Sequence, residues 1–167
     1  MPIAQFKVSH DSLVRLERQI NNPNDCVLVA LNVVGLISNY SHAIVSTLVD
    51  EGIYLDQILD IFKYKSQGHN YEFSMYNSEK FHETVMTQLK PGRMLFCGAR
   101  WKKVRRGYQP RAGGHAMLIA NVNNDLWIVD PQNGVFGKLS DPKIISQYVE
   151  TAFVYFILNT TDPRYLD

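Results

Sequence analysis

The chain has 167 residues, 46% of them hydrophobic and 20% charged, with a formal net charge of +1 and a sequence pI of about 7.8. That is the size and balance of one soluble globular domain with a real core, expected to span residues 1–167. A near-neutral chain carries no global field toward nucleic acid or membrane, so any partner has to be recognised locally.

The first twenty residues mix polar and apolar side chains, without the charged start and continuous apolar segment of a secretory signal. No stretch approaches the roughly 20 apolar residues that cross a bilayer. The two cysteines, Cys26 and Cys97, are too few for a disulfide scaffold, so a reducing, cytoplasmic setting is expected.

The first third reads as helical. Leu13, Leu16 and Ile20 recur at helical spacing, and the run NNPND then stops one helix and can cap the next. Residues 26–37, CVLVALNVVGLI, are apolar nearly all round, as in a helix buried at the centre of a domain. Further helices are expected over 42–49 and 55–64, the second with Leu55, Ile58, Leu59 and Phe62 on one face.

The second half changes period. A strand is expected over 71–76, a helix over 78–89, a turn at Pro91-Gly92 and a strand over 93–97. A long polar, basic connection runs from 99 to 113. Residues 115–122 and 126–130 then form a hairpin about Asn123-Asn124-Asp125. A short strand, a helix near 141–148 and a closing strand over 152–158 complete the chain. Helices followed by an antiparallel sheet give the class α+β.

Cys26 follows a capping run and opens the apolar helix. Unpaired amides at a helix N-terminus and a neighbouring imidazolium both stabilise a thiolate, which is the nucleophilic form. A helix anchored on all sides holds the sulfur to a small positional error. The alternative is plain packing, since cysteine is among the most buried residue types. Cys97, inside MLFCG, has only the packing role.

Of the five histidines, His10, His42 and His82 lie on polar helix surfaces or ends, and His69 is in a loop. His115 differs, because it follows Gly113-Gly114 and begins the strand HAMLIANV. The two glycines leave room for a bound chain to approach the imidazole. Asp130 and Gln132 are two apart and share a face of the return strand. With Asn123-Asn124 as a two-residue turn, His115 lies opposite Gln132 and diagonal to Asp130. A carboxylate fixes the tautomer and stabilises the imidazolium better than an amide does, so Asp130 is preferred as the third member and Gln132 is the alternative.

A cysteine opening a central helix, followed by a sheet carrying His and then Asp, resembles the papain-like cysteine peptidase superfamily. The likeness lies in NNPNDCVLVALNVVG (21–35) and GHAMLIANVNNDLWIVDPQNG (114–134), about a fifth of the chain. The second stretch is similar to bacteriocin-processing peptidases and to papain-fold toxin domains. It also resembles the josephin deubiquitinases, in which a Gly-His strand leads to the third member about fifteen residues later.

The resemblance implies a papain-like α+β fold, no cofactor or metal, and a Cys-His-Asp triad of Cys26, His115 and Asp130. It also implies an amide upstream of the cysteine that donates to the oxyanion. Asn21 takes that role, with Gln19 and Asn22 as alternatives. The expected activity is cleavage of a peptide or isopeptide bond in a protein substrate. Ubiquitin or a ubiquitin-like protein is the leading expectation, since Gly113-Gly114 suits the narrow channel a Gly-Gly tail needs. Deamidation of a protein glutamine, as in papain-fold toxins acting within a host cell, is the alternative.

The segment 101–111, WKKVRRGYQPR, is expected either to form a basic flap over the site, with Trp101 against substrate, or to be a solvated hairpin tip. A non-catalytic binding module is the remaining class. It would hold protein, or single-stranded nucleic acid through Lys102, Lys103, Arg105 and Arg106 with Trp101 and Tyr108 stacking on bases.

Overall fold

The computed structural model describes residues 3–8, 26–39, 41, 53–65, 70–99, 115–131, 134–144 and 154–160. The helices expected over 13–20 and 42–49, the basic segment 101–111 and the second half of the helix near 141–148 lie outside them.

The apolar runs MLFCG and HAMLIANV become strands β3 (Arg93–Ala99) and β4 (His115–Val122). Every residue of β4 from His115 to Asn121 is buried, because both faces of the sheet are covered here. β4 pairs antiparallel with β3 on one side and with β5 (Asp125–Asp130) on the other; β5 pairs in turn with β6 (Val135–Lys138). The second edge of β3 is shared. β1 (Gln5–Lys7) occupies its start, from Arg93 to Leu95, and β7 (Val154–Asn159) occupies its end, from Cys97 to Ala99. β2 (Tyr71–Tyr76) adds outside β7, giving the order β2-β7-β3-β4-β5-β6 with β1 beside β3.

The class is therefore α+β with an antiparallel sheet, but β1 departs from the expectation of an all-helical first third. Three residues are too few to show their own period. The strand forms because β3 leaves half an edge to fill.

Strand alternation sends neighbouring residues to opposite faces and so divides the core in two. On one face Met94, Phe96, Ala116, Leu118 and Val129 pack with helices α1 (Cys26–Val33) and α2 (Leu55–Lys65). Phe62 of α2 is fully buried there. Its ring centroid lies 5.9 Å from Phe6, 5.2 Å from Tyr71 and 5.6 Å from Phe96, the last two edge-to-face. On the other face Leu95, Met117, Ile119, Ile128 and Phe156 pack with Phe81, Val85 and Leu89 from α3 (Ser78–Gln88) and the residue just beyond it.

α1 is the central helix, and all seven residues from Val27 to Val33 are buried. It stops at Val33, short of the Ile37 that apolar character alone would allow. Gly35 adopts φ +85°, Leu36 N–H donates to Leu31 C=O at 3.0 Å, and Gly35 N–H donates to Asn32 C=O at 3.1 Å. This is the left-handed glycine termination, which satisfies carbonyls the helix end would otherwise leave bare. Asn32, buried among apolar neighbours, donates from Nδ2 to the Ile37 carbonyl at 2.9 Å and to Asn39 Oδ1 at 3.0 Å. Those bonds offset the cost of desolvating its amide.

Candidate active site

His115 opens β4 opposite Ala99, and Asp130 closes β5. The link between these strands is the two-residue turn expected from the sequence. Asn123 (φ 53°) and Asn124 (φ 68°) both take the left-handed conformation that asparagine tolerates, as a type I′ turn requires. The resulting register pairs Val122 with Asp125 and Leu118 with Val129. Residues 115 and 130 thereby project from the same face at the open end of the hairpin, and their side chains meet. His115 Nε2 lies 2.7 Å from Asp130 Oδ2.

Both groups are out of solvent, with His115 6% exposed and Asp130 0%. A carboxylate so placed needs a charged or donating partner, and the imidazole supplies one. Since Nε2 is bonded to Asp130, Nδ1 is the ring nitrogen left to exchange a proton elsewhere.

The first residue of α1 reaches the same imidazole. The Cys26 side chain hydrogen-bonds His115, although the two residues belong to distant elements of the chain. Cys26 is half-buried, whereas the next seven residues of α1 are fully buried. Burial opposes the charged form of His115 and is the largest single influence on it. The hydrogen bonds to Asp130 and Cys26 and the negative charge of both partners together outweigh that cost, and the imidazolium is pushed up to about 9. His115 thus carries its proton at neutral pH, between the Asp130 carboxylate and the Cys26 side chain.

Cys97 has no such setting. It is 0% exposed, paired across the sheet with Met117 and Phe156, and burial pushes its thiol up, away from the reactive anion.

A further residue stands beside Cys26 that sequence reasoning did not pick out. Tyr155 of β7 pairs with Gly98 of β3, and its Cε1, Cζ and Oη lie over the place a Gly98 Cβ would take. Tyr155 and Cys26 pack against the same core cluster. Burial pushes the Tyr155 phenol up, so the hydroxyl stays protonated. The available sequence signal was Gly98 itself, because a glycine inside an apolar strand marks a close approach from a neighbour.

Among the described residues no group of three or more His, Cys, Asp and Glu side chains is arranged to hold a metal ion. No helix among them is long and apolar enough to cross a membrane. Asn21, Gln19 and Asn22, expected near the oxyanion, lie outside the described residues. So do Gln132, Gly113, Gly114 and Trp101. His115 pairs with Asp130, the carboxylate preferred from the sequence. The chain matches no protein-family model, and no curated protein is similar to it in sequence.

Proposed function

We propose that this chain is a thiol-dependent hydrolase of the papain-like kind, cleaving a peptide or isopeptide bond in a protein substrate. One observation carries the proposal: the side chain of a half-buried cysteine on a buried helix is hydrogen-bonded to a histidine that a buried carboxylate holds at 2.7 Å. A structural cysteine needs none of these three features.

In the proposed reaction Cys26 attacks the carbonyl carbon as thiolate, forming the C–S bond while the C=O π pair moves onto oxygen. The Cys26 backbone N–H and the Asn21 side chain are the expected donors to that oxyanion. Collapse breaks the C–N bond, and the leaving nitrogen takes the proton held at His115 Nδ1. Neutral His115 then removes a proton from water as the water attacks the thioester, and Cys26 leaves as thiolate. Asp130 holds the ring orientation throughout and stabilises the imidazolium.

The proposed substrate is ubiquitin or a ubiquitin-like protein, on the strength of the fifteen-residue His-to-Asp spacing and the Gly113-Gly114 pair ahead of the histidine. The test is incubation with ubiquitin and ubiquitin-like proteins carrying an electrophile at the C-terminus, beside Cys26→Ala. A covalent adduct in the wild type, specific to one modifier and missing in Cys26→Ala, is the expected result. Reaction with a general thiol-protease warhead but with none of the modifiers would transfer the activity to another peptide bond or to glutamine deamidation. Reaction with neither would end the hydrolase reading.

A further inference from the structure

Resting on that reading, we propose that the Tyr155 hydroxyl is a hydrogen-bond donor to the oxyanion formed at Cys26. Three observations place it there. The first is register: β7 pairs with β3 through Gly98↔Tyr155, and β3 pairs with β4 through Gly98↔Ala116 and Ala99↔His115. Tyr155 is therefore on the same row as Gly98 and Ala116, on the face of the sheet that packs against α1 and Cys26. The second is shape. Gly98 has no side chain, and the outer edge of the Tyr155 ring fills the space above it. The ring thereby reaches over β3 at Gly98, where a larger residue would turn it away.

The third observation is a missing partner. Among the described residues the Tyr155 hydroxyl makes no hydrogen bond, and its half-buried side chain packs against the same core cluster as Cys26. A phenol packed into a sheet normally finds an acceptor. A donor held rigid, partly desolvated and unspent beside a nucleophile is positioned for charge that develops only during reaction. No proton is transferred in this role. As the thiolate adds, the carbonyl π pair moves to oxygen, the hydroxyl donates to it, and the bond is given up again when the leaving group departs.

The test uses the full chain and two small probes that react at Cys26 by different routes. p-Nitrophenyl acetate acylates a thiolate through a tetrahedral oxyanion, releasing p-nitrophenolate and leaving a thioester. Iodoacetamide alkylates the same sulfur by displacing iodide, with no oxyanion. In Tyr155→Phe, acylation is expected to fall by about 10²-fold, the usual size for one oxyanion donor, with alkylation unchanged. Gly98→Ala, which keeps the hydroxyl but moves it, should show the same split.

Unchanged acylation in Tyr155→Phe would overturn the assignment. So would a parallel fall of both rates, since that reports a disturbed thiolate and not a lost donor. A wild type in which neither probe reacts faster than with a small free thiol is a different failure: it removes the hydrolase reading, and the role of Tyr155 goes with it.

Discussion

The Asp130 carboxylate, with no exposed surface, meets Nε2 of His115 at 2.7 Å across the open end of a hairpin whose turn is Asn123-Asn124. The pair holds the imidazole ring in one orientation and leaves its other nitrogen for Cys26. Removing the charge and removing the acceptor should therefore have separable effects. Asp130→Asn, which can still hold the ring, is expected to lower turnover less than Asp130→Ala, for which a fall of about 10²- to 10⁴-fold is expected. Steady-state kinetics on both variants checks the order, and equal activity in wild type and Asp130→Ala would remove Asp130 from the mechanism.

The charge state of His115 links the site to pH. Its imidazolium is pushed up to about 9 in the folded chain against an ordinary value of 6.5. The native state therefore binds this proton more tightly than the unfolded state does. The resulting stabilisation is complete below 6.5 and is lost as pH rises through about 9. Turnover, which uses the His115 proton on the leaving group, should decline over the same alkaline range. Thermal melts from pH 6 to 10 should show the wild-type advantage over Asp130→Asn narrowing across that window. A constant difference would contradict the assignment of the proton to His115.

The two cysteines should separate cleanly in the native protein. Iodoacetamide is expected to give a single adduct, at Cys26, because Cys97 has no exposed surface and burial pushes its thiol up. Peptide mapping after brief alkylation locates the adduct; modification of Cys97 at a comparable rate under native conditions would be the contrary result.

Much of this site was legible because its decisive register is local. A two-residue Asn-Asn turn fixes which residues of two strands share a face, so His115 and Asp130 are brought together by a rule that needs only the turn between them. The body of α1 was legible because the run from Val27 to Val33 is apolar on every side, as a helix buried on all faces requires. The end of α1 was not, because Val34, Leu36 and Ile37 continue the apolar character after Gly35 has turned the backbone left-handed. Tyr155 was out of reach for a different reason. It meets Gly98 through pairing between strands 57 residues apart in sequence, with no tight turn to set their register. β1 was hidden likewise, since only the half-empty edge of β3 makes three residues a strand.

The Gly35 termination also predicts a stability effect remote from the chemistry. An L side chain at φ +85° is strained, so Gly35→Ala should cost about 1–2 kcal/mol. Urea unfolding should show a lower midpoint with the slope preserved. A larger loss is expected in the core, where Phe62→Ala removes a ring that meets three others and should cost about 3–5 kcal/mol. If Gly35→Ala proved the more damaging of the two, the packing of α2 against Phe96 and Tyr71 would be in question.

The most direct test of the central claim is the rate at which Cys26 is alkylated at neutral pH in wild type and in His115→Ala, read by intact-mass spectrometry. If the imidazole holds the sulfur as its ion-pair partner, the rate falls at least about tenfold when the ring is removed, while the fold, judged by circular dichroism, is retained. Equal rates in the two proteins would mean that the histidine does nothing for the thiol, and the hydrolase proposal would fall with that result.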